Sequence, residues 1–555
     1  MIGAFQRKRI GVSGDPQGAR FGVLFKALGR LFPVEFCPAE SGEQHSCEAL
    51  IELNGDLEAA INAAAAGMPS FVAMEGGHAS TQGRGGNLRF GDSPQLSPCL
   101  RRQLMASCES VGVSPDPEAG DEVLAFLQDR PVWLLRPTAR AACHVVAAAP
   151  PQMRENEFLF QYLNGRRFLG LLPLMHFLRA QVKDQDWTGS SSKACFVFDD
   201  PSLHWHSYGF LNYRMLAEHA KRHGYFASVA TIPLDAWWVN GRVAEILRGS
   251  SPRLSVLIHG NNHTTDEMLS SGSTTQRRAA LAQAMRRMER LRRKHGIPIV
   301  NVMEAPYGAF AENLFQDLLV LGYEAALCTA ELLVQHNPGV AWSPAIGLDR
   351  SEVLGGGLPV IPRIRMSAEW KNEVLLAAFL NQPIIVSGHH LDAAHDLEFL
   401  ADLAGMVNGL HGVTWSDLSG ILRSNFAQTV EGDVLTVKLY SRRVVVPIPQ
   451  GTRNLRVQRS WISGEQTERL TISTGINGGT TSAAGELSGL FPVGNASEVK
   501  ITSEIENPLD FSTVSLPPLH PWPIARKIMM EVRDRLSPAM PFIERFHRTA
   551  PPNRP

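Results

Sequence analysis

The chain has 555 residues, with 53 Lys and Arg against 54 Asp and Glu, so no overall field draws it to nucleic acid or an anionic membrane. At 44% apolar residues it is neither mostly disordered nor of low complexity, and its length suggests roughly three or four domains. Seven cysteines without a C-x-x-C pair argue against a disulfide framework and a cysteine zinc site. The start is basic without an apolar run behind it, and no segment approaches the ~18 apolar residues of a membrane span. A cytoplasmic protein with no membrane span is predicted.

Residues 1–150 alternate short apolar runs with amphipathic stretches. Arg9–Ser13, Val34–Cys37, Ala49–Leu53 and Ser70–Met74 read as strands, and Ala19–Leu31 and Leu57–Ala66 as helices. This βαβ rhythm predicts a small, mostly parallel α/β domain, flavodoxin-like or Rossmann-like. Neither Gly11, Gly14 and Gly18 nor the run 76–86 fits a phosphate-loop spacing, and turns account for both. Residues 151–192 read as a helical connector. From 193 to 426, strands are expected at Ala194–Phe198, Ala227–Ile232, Leu254–Ile258, Ile299–Met303, Ala325–Cys328, Val360–Ile364, Ile384–Ser387 and Val413–Trp415. They alternate little between apolar and polar, as strands covered on both faces do. Helical stretches separate most of them; in Thr275–His295, Leu281, Ala284, Met285, Met288 and Leu291 share one side, and the arginines opposite read as a solvated face. Together these predict a (β/α) barrel. Residues 427–512 hold short strand-like runs without helices, the pattern of an antiparallel β-sandwich. Residues 513–555 form a tail around one helix, Ile524–Leu536. The fold class is thus multidomain α/β.

Chemistry in such barrels sits where strands end. The first strand ends in Asp199-Asp200-Pro201, the third in His259-Gly-Asn-Asn-His263, and the fourth in Glu304-Ala-Pro306-Tyr307-Gly308. The seventh ends in His389-His390 and the eighth in Trp415-Ser416-Asp417. Two histidines four apart face one point if they open a helical turn, and a neighbouring carboxylate would complete a His₂Asp set with open positions for water and substrate. Of two successive aspartates, one then binds the cation while the other remains a base.

The order FxFDD, HxxxH, PYG and a late strand ending in histidine resembles the polysaccharide deacetylase family, over about 193–426. The resemblance implies a distorted (β/α) barrel, a divalent cation with zinc the expected metal, and removal of acyl groups from amino sugars. It makes Asp199 the general base, Asp200, His259 and His263 the metal ligands, and His389 or His390 the general acid. The loop Pro306-Tyr307-Gly308 would line the groove, with the Tyr307 N–H helping to hold the oxyanion.

The sequence departs from the family at Pro201, where glycine is usual, and at Gly260, where serine or threonine is usual. It also has Glu304 where the family places an arginine beside the base, a role left to Arg363 or Arg365 from the sixth strand. A glutamate there raises the pKa of Asp199. Glu304 leaves two other functions open: a degenerate glycan-binding or scaffold protein, and a glycosidase with Asp199 and Glu304 as paired carboxylates. Glu369-Trp370 is a weak candidate for a further family motif, read rather as a helix start and a core tryptophan. His204 and His206 read as loop residues, His411 as a helix-end residue, and Trp237 and Trp238 as packing rather than sugar-stacking residues. The partner is a carbohydrate substrate; oligomeric state is not readable.

Overall fold

The computed structural model describes the chain apart from residues 1–6, 14–15, 19, 40–46, 75–84, 110, 184–186, 251–252, 265, 270–271, 395–396, 462–466, 475–479, 485–488, 495, 519 and 537–555. Most of the glycine run 76–86, Gly14 and the end of the chain therefore lie outside the described residues. The chain divides into two compact units: one of 1–188, 341–350 and 367–382, the other of 189–340, 351–366 and 383–555.

The first unit carries one nine-stranded sheet. Lys8–Val12, Val34–Pro38, Ala49–Glu52, Ser70–Ala73 and Ala142–Val146 pair in parallel, and Gly22–Leu31 and Leu57–Ala65 are helices. Asp56 caps the second helix, accepting the Ala59 N–H. The rest of the sheet is antiparallel, so it is mixed rather than mostly parallel. The hairpin Glu122–Leu127 to Arg130–Pro137 shows why: Gln128 and Asp129 both take positive φ, the turn that matches strand twist.

In the second unit, a curled sheet runs in the order Leu358–Ile361, Ala325–Leu327, Ile299–Glu304, Leu254–His259, Ala227–Thr231, Ser192–Asp199, Ile384–His389, Ile364–Arg365, all parallel. Glu352–Leu354 adds to Leu358–Ile361 antiparallel at that edge. The first and last of the parallel strands come from one stretch of chain, Leu358–Arg365, broken at Pro362 and Arg363, so the sheet must curl. Val413–Trp415 pairs only with the start of Ser192–Asp199. Asp417 therefore leaves the row of strand ends and caps the helix Leu418–Arg423 through the Gly420 N–H. Cys195, Val197, Leu257, Val300, Val302, Ile361 and Ile385 share one apolar core. Side chains alternate faces along a strand, so Asp199, His259, Glu304, Arg363 and His389 lie on the core side of the sheet, one step beyond it.

Two further sheets of this unit share a second core, with Leu435, Val437, Leu455 and Val457 on one and Val444, Val446, Ile472 and Ile501 on the other. Their pairing is mostly antiparallel, but Val434–Leu439 runs parallel to Asn454–Arg459. The last helix spans Pro521–Leu536.

The arginines of the helix Thr274–His295 form the solvated face read from the sequence only in part: Arg290 and Arg293 are exposed, and the others find partners. Arg277 and Arg278 both bind the buried Asp317, Arg286 donates to the carbonyls of Phe511 and Ser512, and Arg292 reaches Asn301 and the Ile299 carbonyl. Stems that pack and heads that find carbonyls or carboxylates are compatible with partial burial.

Candidate metal centre and its acid network

Register brings the predicted residues together. Asp199 is level with His389 on the neighbouring strand, and His259 is level with Glu304 on the other side of the sheet. Asp200 follows its strand with φ 77°, His263 has φ 56° and Tyr307 φ 59°. These are left-handed conformations that side chains with a Cβ adopt at a cost, and they cluster at functional sites. The backbone turn usually supplied by the glycine missing at 201 is thus taken by Asp200 itself.

Asp200 Oδ1 lies 3.1 Å from His259 Nε2 and 2.9 Å from His263 Nε2. All three residues are buried, and that oxygen makes no hydrogen bond of proper geometry. Three ligand atoms bound at about 2 Å to one zinc-like ion sit roughly 3 Å apart. Three such atoms within 4.8 Å of one another, one of them an otherwise orphaned buried oxygen, fit a cation. Burial alone would raise the pKa of Asp200; its neighbours His259, His263 and His389 outweigh this and hold it well below the usual range.

The two histidines do not open a helical turn as the spacing suggested. His259 ends its strand, and His263 sits on an irregular loop gathered around Glu267, whose carboxylate accepts the N–H groups of Asn261 (2.7 Å), Asn262 (3.0 Å) and His263 (3.1 Å). Arg287 clamps the same loop through the Asn261 and Asn262 side-chain oxygens. Gly260 has φ 60°, and a Cβ there would meet Glu267 Oε1 at 2.2 Å and the Pro306 ring at 2.8 Å. Only glycine lets the loop pass.

Beside these three residues, Arg363 Nη1 donates to Asp199 Oδ2 (3.3 Å) and makes a short contact with Glu304 Oε1. Glu304 is fully buried. Arg363, not Arg365, therefore pairs with Asp199, from a different strand and shared with a second acid. Burial and the Glu304 charge drive the Asp199 pKa well above its usual value, against Arg363. Gly308 leaves the room for this guanidinium: a Cβ there would lie 2.8 Å from Arg363 Nη2.

His389 Nε2 is 3.1 Å from Asp200 Oδ2 and its side chain is partly open. His390 is buried between Tyr208 and Phe210, its ring 4.1 Å from that of His389. Burial lowers its pKa, which Asp534 opposes. The Tyr307 ring is exposed, 5.8 Å from that of His263. His204 bonds the Asp235 carbonyl at 2.9 Å and Glu531 at 3.3 Å, and Trp237 and Trp238 stack beside it, both exposed. Glu369 belongs to the first unit, where it binds Arg166. Glu267, Arg287 and Asp534 escaped the sequence, because none stands at a strand end or in a recognisable spacing.

No protein-family model and no curated protein matches the chain. Among solved structures it is similar to a polysaccharide deacetylase from Mycobacterium smegmatis, at 13% identity and TM-score 0.30, over 42% of this chain and 93% of that one. It is also similar to a family 4 carbohydrate esterase from Streptomyces lividans solved with acetate, at 14% identity and TM-score 0.25, over 41% of this chain and 93% of that one. A third match is the polysaccharide deacetylase Bc1974 from Bacillus cereus, at 14% identity and TM-score 0.23, over 40% of this chain and 91% of that one. The chain is thus similar, over about two-fifths of its length, to polysaccharide deacetylases and carbohydrate esterases.

Proposed function

We propose that the chain is a metal-dependent hydrolase that removes an acyl group from the nitrogen of an amino sugar. The architecture that goes with this reading is a deacetylase-like (β/α) barrel with an N-terminal α/β domain and a C-terminal β-sandwich. The observation that carries it is the convergence of Asp200, His259 and His263: each histidine lies within 3.1 Å of Asp200 Oδ1, and the three ligand atoms lie within 4.8 Å of one another. Charge supports it. Asp200 and Glu304 are buried and Asp199 is partly buried, and these three carboxylates face one guanidinium, Arg363, an acidic excess that a divalent cation offsets. A divalent cation, zinc by preference, held by Asp200, His259 and His263 would supply a Lewis acid and a water of lowered pKa.

The chain's own groups supply the proton transfers. Asp199, with its pKa raised by burial and Glu304, accepts the proton of the attacking water. Arg363 fixes the Asp199 carboxylate and keeps its charge tolerable. The Tyr307 N–H helps hold the developing oxyanion. His389, partly open where His390 is buried, gives a proton to the departing nitrogen.

One observation favours a second reading. Two acids on one guanidinium hold Asp199 toward its neutral form, which suits a glycan-binding protein without turnover. The full burial of Glu304 counts against a glycosidase, since a paired acid must reach the sugar. The test is acetate release from acetylated amino-sugar oligosaccharides by zinc-loaded protein. We expect release that falls about 10²-fold or more in Asp199→Asn. Glycan affinity with no acetate released would overturn the reading in favour of the second.

A further inference from the structure

The C-terminal helix Pro521–Leu536 sits with its polar edge inward and its apolar edge outward. Lys527, Glu531 and Asp534 recur at four and three residues and all turn toward the curled sheet's unit. Lys527 Nζ pairs with the buried Asp235 at 3.0 Å. Glu531 takes Ser202 at 3.2 Å and His204 at 3.3 Å, and Asp534 accepts the Tyr208 hydroxyl at 2.6 Å. These buried contacts fix the helix's rotation. The other edge then has to face outward: Trp522, Ile524, Ile528, Met529, Val532 and Leu536 are 43–60% exposed. On a surface helix this is the reverse of the usual order, and an apolar row of this extent marks a contact surface.

The row adjoins the mouth of the candidate site. Arg526 Nη2 is 3.3 Å from the Tyr307 hydroxyl, and Trp205 and Trp237 stand exposed on the same rim. A cavity of about 380 Å³ separates Ile524 and Ile528 from Trp237 and Arg290. Arg290 also lines a second cavity with Arg293 and Lys294, and all three are exposed. Apolar side chains, exposed aromatic rings and a cationic flank together are the features of a helix lying in a membrane interface. A second copy is a poorer occupant. A two-fold contact sets each patch against its like, which would bring the cations of both copies together.

We infer that this face lies on an anionic lipid surface, and that the neighbouring site acts on an acylated sugar carried by a membrane lipid. The second half rests on the hydrolase reading above; the first does not. The test is sedimentation of the full chain with vesicles of phosphatidylcholine, alone and containing phosphatidylglycerol, beside acetate release from a soluble acetylated sugar. The expected result is binding that phosphatidylglycerol strengthens. Ile528→Asp with Val532→Asp lowers it about tenfold or more, and Arg290→Glu with Lys294→Glu lowers it on the anionic vesicles only, by at least about five-fold per cation. Acetate release from the soluble sugar stays at the parent level in both variants.

Failure of the full chain to sediment, or equal sedimentation of parent and variants, overturns the docking. So does a dimer in light scattering that Ile528→Asp with Val532→Asp splits. Vesicle binding as described without acetate release leaves the docking in place and removes the hydrolase reading. Acetate release without vesicle binding does the opposite.

Discussion

Arg363→Met is the perturbation whose size the structure sets most directly. The Arg363 side chain is 6% exposed and faces Glu304, which has no exposure, and Asp199. Removing one partner of a buried ion pair costs about 3–5 kcal/mol, because the charge left behind is uncompensated. Here two carboxylates lose one shared guanidinium, so the upper part of that range applies. For a unit of about 340 residues, at ~2.1 cal/mol/K per residue, this lowers the unfolding midpoint by roughly 4–7 °C. Scanning calorimetry of parent and variant at neutral pH measures it. Glu304→Gln with Arg363→Met removes the charge that lost its partner, and should recover a large part of the loss. The gap between Arg363→Met and parent should also narrow in mild acid, where Asp199, whose pKa is already raised by burial and Glu304, takes up a proton. A midpoint lowered by less than about 3 °C, or no recovery in the double variant, would refute the shared-guanidinium account.

Other consequences are as definite. Glu267→Ala removes the acceptor that gathers the loop from Asn261 to His263, so zinc affinity by competition with a chelator should fall about 10–100-fold. Unchanged affinity would show the loop holds its shape alone. Glu468 is buried and accepts from Arg442 and Arg459, each at 2.6 Å, and from Trp461 and Ser503; Glu468→Ala should cost about 3–5 kcal/mol of that region's stability, seen as a lower-melting step. In the first unit, burial holds His144 at about 3 and His176 at about 4. Both stay neutral when folded and charge near pH 6.5 when unfolded, so their contribution is full above that pH and is lost as pH falls toward 4, at roughly 1.4 kcal/mol per pH unit and histidine. The midpoint of that unit should drop between pH 6.5 and 4, and drop less in His144→Gln with His176→Gln; equal pH dependence would exclude the two histidines as its cause.

The strands of the curled sheet were legible because each is a short β-branched or aromatic run that needs no partner to be recognised. All eight expected runs are strands, with ends shifted by at most three residues, and the sixth is broken at Pro362 and Arg363. The candidate metal site was legible for a related reason: Asp200 and His259 stand at the ends of such runs, and His263 follows four residues after His259. What sequence spacing could not supply was the support. Glu267 works through backbone N–H groups that become neighbours only once the loop is folded. Arg363 was a candidate from the sequence, but that it and not Arg365 reaches Asp199, and that it is shared with Glu304, depends on the curl of the sheet. Asp417 misled because a strand end was inferred from local pattern, while pairing with Ser192–Ala194 sets it back from the rim. Most of the arginines of Thr274–His295 misled because periodicity tells which side of a helix is apolar, not whether the other side meets water or carbonyls.

X-ray absorption at the zinc edge, on zinc-loaded protein, tests the central claim most directly. The account predicts one zinc per chain with two imidazole nitrogens and a carboxylate oxygen at about 2.0–2.2 Å, and loss of that shell in His259→Ala with His263→Ala. Substoichiometric zinc unaffected by those substitutions, or a shell containing sulfur, would contradict it.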